Sequence, residues 1–236
     1  MGEILSVNGL SKKHFNKKIL DNVEFNLGIG RIMGIFGPNS SGKSTLLKII
    51  AGITSYNSGE VLIGGKAVGF DTKSYVAYLP EIGCFEKWMS IKDCIRLYSS
   101  FYKDFDREKA EKMVSTYGMT TKDRISSLSK GKQEILNVII TFSRDAKLYL
   151  LDEPLASIDP MAREKIIEMF LDNFHEECSI IMVTHLIKDV GKIFDDIIFM
   201  DKGSIKLLGN VEELKMNTGK SVEEAFKEMF VNAYIS

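Results

Sequence analysis

Apolar and polar positions along this chain follow two rhythms. Short apolar runs at residues 3–7, 23–27 and 32–36 predict strands, separated by turn chemistry at Asn8-Gly9 and at Gly28 to Gly30. Residues 44–51 have helical spacing and stop at Gly52, a residue suited to a C-cap. Two more strands are predicted at 59–63 and 75–79, the second running into Pro80-Glu81. From about Cys84 to Phe142 the texture turns helical, with 90–102, 106–117 and 134–142 as helices and few strand candidates. The pattern predicts a helical insertion, residues 84–142, in an α/β core. Beyond it come an apolar strand at 147–151 and a helix opened by Asp159-Pro160, whose body spans 162–174. A β-branched strand at 178–183 follows, then a hairpin of 197–200 and 205–208 around Lys202-Gly203. The last element is an amphipathic helix at 221–233, with Val222, Ala225, Phe226, Met229 and Phe230 on one face. Strands alternating with helices imply a mostly parallel sheet.

Composition narrows this only a little. The 236 residues are 44% hydrophobic with mean hydropathy −0.02, enough to bury a core in one large α/β domain. A net charge of −1 argues against bulk electrostatic binding to nucleic acid. No apolar run approaches the roughly 18 residues of a membrane span, and the first residues lack a signal-peptide core. Cys84, Cys94 and Cys178 fall in separate elements without metal-ligand spacing and read as reduced packing thiols, which suits the cytosol.

The chemistry concentrates in Gly37, Pro38, Asn39, Ser40, Ser41, Gly42, Lys43, Ser44 and Thr45, which fit G-x-x-x-x-G-K-[ST]. Glycines at both ends let the backbone bend so that successive N–H groups converge on one anion. Lys43 adds a charge for the β- and γ-phosphates, and the Ser44 hydroxyl suits Mg²⁺. A strand before the loop and a helix after it aim a helix N-terminus at a phosphate. At the end of the 147–151 strand, Asp152 suits the metal side. Glu153 suits the base that polarises a water for in-line attack on the γ-phosphate. Leu128-Ser129-Lys130-Gly131-Lys132-Gln133 lies just ahead of the 134–142 helix, roughly twenty residues before Asp152. Ser129 and Gly131 make a second phosphate cradle there, one that a single chain does not easily fold onto its own Lys43. The basic stretch from Lys12 to Lys18 reads as a solvated loop by charge alone, and an aromatic ring in it offers a stacking surface for a purine.

Over nearly its full length the chain resembles the ATP-binding subunits of ABC transporters. Residues 37–45 match Walker A, Leu150 to Glu153 match the end of Walker B, and Leu128 to Lys132 resemble a diverged Leu-Ser-Gly-Gly-Gln signature. Leu155-Ala156-Ser157-Ile158-Asp159 match the D-loop, which in the family touches the opposite subunit, and His185 matches the switch histidine that contacts the γ-phosphate. Glu81 falls at the Q-loop position, and His14 or, preferred here, Phe15 at the adenine-stacking aromatic.

The resemblance implies a P-loop NTPase core with a mostly parallel sheet, flanking helices and an antiparallel β portion at the N-terminal side. It implies one ABC ATPase domain over 1–236, with 84–142 as an inserted helical subdomain and 211–236 as a C-terminal helical extension. ATP and Mg²⁺ are the implied cofactors, with Ser44, Glu81 and Asp152 on the metal. Glu153, His185 and Lys43 are the implied catalytic residues. ATP would lie between the loop of one subunit and Ser129 and Gly131 of another, in a homodimer for preference. A separate transmembrane permease would receive the work, its docking surface around residues 84–98 including Phe85, Trp88 and Met89. The protein would sit in the cytoplasm, peripheral to the inner face of the cell membrane. The short chain looks like bacterial exporter-type subunits. The rival class is a cassette ATPase of DNA repair or translation, and it fits poorly with the near-neutral charge and the lack of a coiled-coil insertion.

Three departures stand out. Glu81 replaces the usual Gln and adds a carboxylate beside Mg²⁺, a cation that accepts oxygen ligands of this kind. Lys130 and Lys132 replace Gly and Gln of the signature, their ammonium groups facing either the opposite phosphates or solvent. Ser40-Ser41 occupy positions that need only be small.

Overall fold

The computed structural model describes residues 2–83, 85–156 and 158–230. Cys84, Ser157 and the end of the predicted terminal helix, 231–233, lie outside the described residues. In chain order the strands and helices are β1 (Glu3–His14), β2 (Lys17–Gly28), β3 (Ile32–Phe36), α1 (Lys43–Ile50), β4 (Ser58–Ile63), β5 (Lys66–Ala67), β6 (Val76–Leu79), α2 (Ile91–Phe101) and α3 (Arg107–Thr116). There follow α4 (Lys130–Phe142), β7 (Leu148–Asp152), α5 (Pro160–Asn173), β8 (Ser179–Val183), α6 (Ile187–Val190), β9 (Asp196–Asp201), β10 (Ser204–Asn210), α7 (Val211–Thr218) and α8 (Val222–Phe230).

Two sheets result. The larger has the order β10-β9-β3-β8-β7-β6, parallel throughout except for β10 at its edge. The smaller is antiparallel, β2-β1-β4-β5. The central strands are apolar on both faces because both are covered. In β7, Leu148 and Leu150 point to a core shared with α1 and the small sheet, while Tyr149 and Leu151 point to a core shared with α4 and α5. The same alternation divides Ile181 and Val183 of β8 from Ile180 and Met182. Each such side chain, fully buried, contributes about 1.5–3 kcal/mol.

Several expectations need correction. Asn8-Gly9 is no turn: β1 runs on to His14, and the left-handed Gly9 absorbs a register shift between Val7 and Leu10. The stretch from Lys12 to Lys18 is a hairpin tip rather than a loop, with His14 paired to Lys17 around Phe15-Asn16. The predicted helix at 134–142 begins four residues earlier, because Ser129 caps it by accepting from the Lys132 amide. Met89 is 7% exposed and belongs to the core, whereas Trp88 is 68% exposed. Two short helices, α6 and α7, carried too little apolar spacing to be read; no residue of α7 is buried.

The terminal helix covers its own chain. Val222, Ala225 and Phe230 join the larger core, and the rings of Phe226 and Phe230 stand 5.5 and 6.1 Å from Phe199 of β9. We expect Phe230→Ala to cost about 3 kcal/mol in urea unfolding with an unchanged m-value. A cost under about 1 kcal/mol would mean that α8 contributes little to holding the fold.

Candidate functional site

The loop between β3 and α1 is shaped by what backs it. A Cβ at Gly37 would lie 2.1 Å from the Met200 carbonyl oxygen, and one at Gly42 would lie 2.7 Å from the Leu20 side chain and 2.8 Å from the Ile19 carbonyl. Only glycine fits at either place. Ser40 adopts a left-handed φ of 63°, and Gly203 N–H donates to the Ser41 carbonyl at 3.0 Å, tying the loop to the β9–β10 hairpin. The loop is therefore braced from behind by β9, the β9–β10 turn and the start of β2.

Lys43 opens α1 and folds back over the loop. Its Nζ donates to the carbonyls of Gly37 (2.9 Å) and Pro38 (3.0 Å). Burial lowers its pKa, opposed by the charges of Glu153, Asp152 and Glu81. One residue on, Ser44 Oγ donates to Asp152 Oδ1 at 2.9 Å. Residues Asn39 to Thr45, Glu81, Glu153 and Val183 together line one cavity of 340 Å³. It opens at the C-terminal ends of parallel strands, the usual place for ligands in such sheets.

Asp152 is 1% exposed. Burial raises its pKa, the Ser44 hydrogen bond pulls the other way, and Glu81 and Glu153 add to the rise. Next to it, Glu153 takes a left-handed φ of 52° while its N–H donates to the Val183 carbonyl at 2.9 Å. That twist brings Glu153 Oε2 to 2.9 Å from His185 Nδ1, a close contact that is not aligned as a hydrogen bond. The structure thus gathers Lys43, Ser44, Glu81, Asp152, Glu153 and His185 at one end of the large sheet.

Other expected residues stand apart. Ser129 and Gly131 lie at the N-terminus of α4 and do not line this cavity. Lys132 uses its ammonium on its own chain, donating to the Gly118 carbonyl at 3.0 Å, whereas Lys130 is exposed on a separate 490 Å³ cavity that Glu81 also borders. Phe15, 91% exposed and edge-on to His14, tips the β1–β2 hairpin. Sequence reasoning missed Tyr78, whose hydroxyl points to Asp152 Oδ2 at 3.5 Å. The signal was there: with Ala77 and Leu79 turned to one core, a strand of period two must turn Tyr78 to the other.

The donor set suits Mg²⁺. The Ser44 hydroxyl and the Asp152 carboxylate, 2.9 Å apart at the edge of the cavity, and the Glu81 carboxylate that lines it are hard oxygen ligands. Mg²⁺ is commonly bound through one or two carboxylates together with substrate phosphate oxygens and water, and these residues could supply such a share of its shell.

A strand–loop–helix phosphate cradle facing an Asp-Glu pair and a histidine, on this sheet order, defines a nucleotide-hydrolysing cassette. The family profile of ABC transporters matches residues 20–156, and the chain belongs to that family. ATP-binding subunits of the family are ATPases coupled to transport, and this chain is such a subunit. It is 28% identical over 246 positions to the ribose import ATP-binding protein RbsA of Caldanaerobacter subterraneus subsp. tengcongensis, covering 96% of this chain and 50% of that protein. The chain thus spans half the length of that relative. A solved ATP-binding subunit of an ABC transporter shares the fold with a TM-score of 0.87 at 22% identity, over 95% of this chain and 98% of that one. A bacterial Atm1-family ABC exporter with ATP bound gives 0.80 at 16% identity, over 96% of this chain and 42% of that one. An importer subunit and an exporter both match, so the matches leave the direction of transport undetermined. Among the described residues no helix is long and apolar enough to cross a membrane.

The raised pKa of Asp152 has a measurable sign. An acid held above its ordinary 3.8 favours folding while protonated, and its ionisation costs stability as pH climbs through the folded value. Without nucleotide, Asp152→Asn is expected to melt above wild type at pH 7, the gap closing as pH falls from the folded value toward 3.8. A lower melting temperature at pH 7 would mean that the hydrogen bond from Ser44 to the carboxylate outweighs burial.

Proposed function

We propose that this subunit binds and hydrolyses Mg-ATP in the 340 Å³ cavity and drives a separate transmembrane permease through ATP-dependent dimer closure. One observation carries the reading: the Ser44–Asp152 hydrogen bond and the Glu153–His185 contact flank the same glycine-framed loop. Residues 37–45 hold the phosphates with backbone amides and the Lys43 charge. Ser44 and Asp152, with Glu81 beside them, hold Mg²⁺, which supplies charge neutralisation at the β- and γ-phosphates. Glu153 accepts the proton of the attacking water, and His185 keeps its carboxylate aimed. Phe15 stacks on the adenine, and Ser129 and Gly131 serve the nucleotide of a second copy of this chain.

In this reading 1–236 form one ATPase domain, 84–142 its helical subdomain and 211–236 a helical extension. The permease docks in a 460 Å³ groove lined by Lys48, Ile53, Tyr78, Pro80, Tyr98 and Tyr102, with the exposed Trp88 on the same subdomain as Tyr98 and Tyr102. The subunit works at the cytoplasmic face of the cell membrane. Export is the direction we propose, on the resemblance alone.

Replacing Glu153 by Gln keeps the metal side and removes the base. Turnover should fall roughly 10²- to 10⁴-fold, and gel filtration should show a dimer only with Mg-ATP. A variant that binds ATP yet stays monomeric would rule out the homodimer. Glu81→Gln should hydrolyse ATP within roughly threefold of wild type, since both side chains offer an oxygen to Mg²⁺. Loss of activity would show that the second charge is required.

A further inference from the structure

Arg163 lies in the first turn of α5, outside the phosphate cavity. A cation there opposes the helix dipole, so helix stability does not explain it. Its guanidinium makes two bonds in different directions. Nε donates to the Ile158 carbonyl at 2.9 Å, and Nη1 donates to Asp189 Oδ2 at 2.7 Å.

Both partners belong to segments that carry the site. Ile158, buried, lies five residues after Glu153, and among the described residues between them the Ala156 amide donates to the Glu153 carbonyl and the Ile158 amide to the Leu155 carbonyl, each at 3.3 Å. Asp189 lies in α6, which starts two residues after His185. Among the described residues α6 has one further charged tie, Lys188 to Glu223 of α8, which is 3.8 Å long with an exposed lysine, and such pairs contribute little. His185 Nδ1 then returns to 2.9 Å from Glu153 Oε2. The contacts close a ring: Glu153, the segment to Ile158, Arg163, α6, His185 and Glu153 again.

We propose that Arg163 is a positioning residue that sets where His185 meets Glu153, and that it carries any displacement of the 153–158 segment to that histidine. A planar guanidinium suits the task because separate nitrogens serve the carbonyl and the carboxylate at once, which a single ammonium does less well. The proposal rests on reading Glu153 and His185 as the working pair and the segment as the face toward a second subunit.

The chain has three histidines, so its imidazole NMR signals can be assigned by single substitutions. In Arg163→Lys and in Asp189→Asn the His185 signal should move while those of His14 and His175 stay. ATP turnover should fall roughly tenfold with KM for ATP held within roughly twofold. Adding either change to His185→Ala should lower turnover no further. An unmoved His185 signal in both variants overturns the proposal, as does a loss of turnover that persists in full on top of His185→Ala. A wild-type protein without turnover would count against the ATPase reading instead, and the His185 signal would still decide the role of Arg163.

Discussion

The hydrogen bond from Ser44 to Asp152 joins the start of α1 to the end of β7 across 108 residues of chain. It is the point on which the remaining geometry depends. A carboxylate as enclosed as that of Asp152 would cost several kcal/mol if it were left without a partner. Asp152 can stand there only if β7 keeps its register with β8, where Asp152 lies opposite Val183. That register brings the end of β8, and with it His185, beside Glu153. A one-residue slip would turn each of these side chains to the opposite face of the sheet.

The sheet also explains why the site needs both halves of the protein. Its two faces feed separate cores, one with α1 and the antiparallel strands, the other with α4, α5 and α8. Ser44 and Lys43 are positioned by the first, His185 and Glu153 by elements of the second. The cavity forms on the rim where the two meet, as expected for a site that must hold a ligand and respond to a neighbour.

Much of this was legible in the chain. The β3–loop–α1 unit, the Asp159-Pro160 helix start and the Lys202-Gly203 hairpin were read correctly, because each follows from local rules of glycine, proline and capping chemistry. What escaped depends on distant partners. Gly9 reads as a turn residue, yet β4 crosses so closely at Gly59 that a Cβ there would lie 2.5 Å from the Gly9 carbonyl, and the pair forms a bulge within a sheet. Met89 looks like surface beside Trp88 until α2 to α4 close over it. Lys132 was read as facing either phosphate or solvent, and neither alternative foresaw the Gly118 carbonyl. Arg163 carries no motif and Tyr78 stood in the Q-loop stretch without a role of its own; only their distances to Asp152, Ile158 and Asp189 single them out.

The brace behind the phosphate loop bears on how the protein is made. Gly37 and Ser41 lean on Met200 and Gly203, and Asp21 of β2 also donates its N–H to the Gly203 carbonyl. A ribosome releases residues 37–45 long before it releases 200–203, so the nascent loop emerges without the wall that shapes it. Contacts of such wide sequence separation carry a larger loop-closure cost than local ones. The nucleotide cradle of this protein thus has its full backing only once residues 200–203 are in place, although its own residues are 37–45.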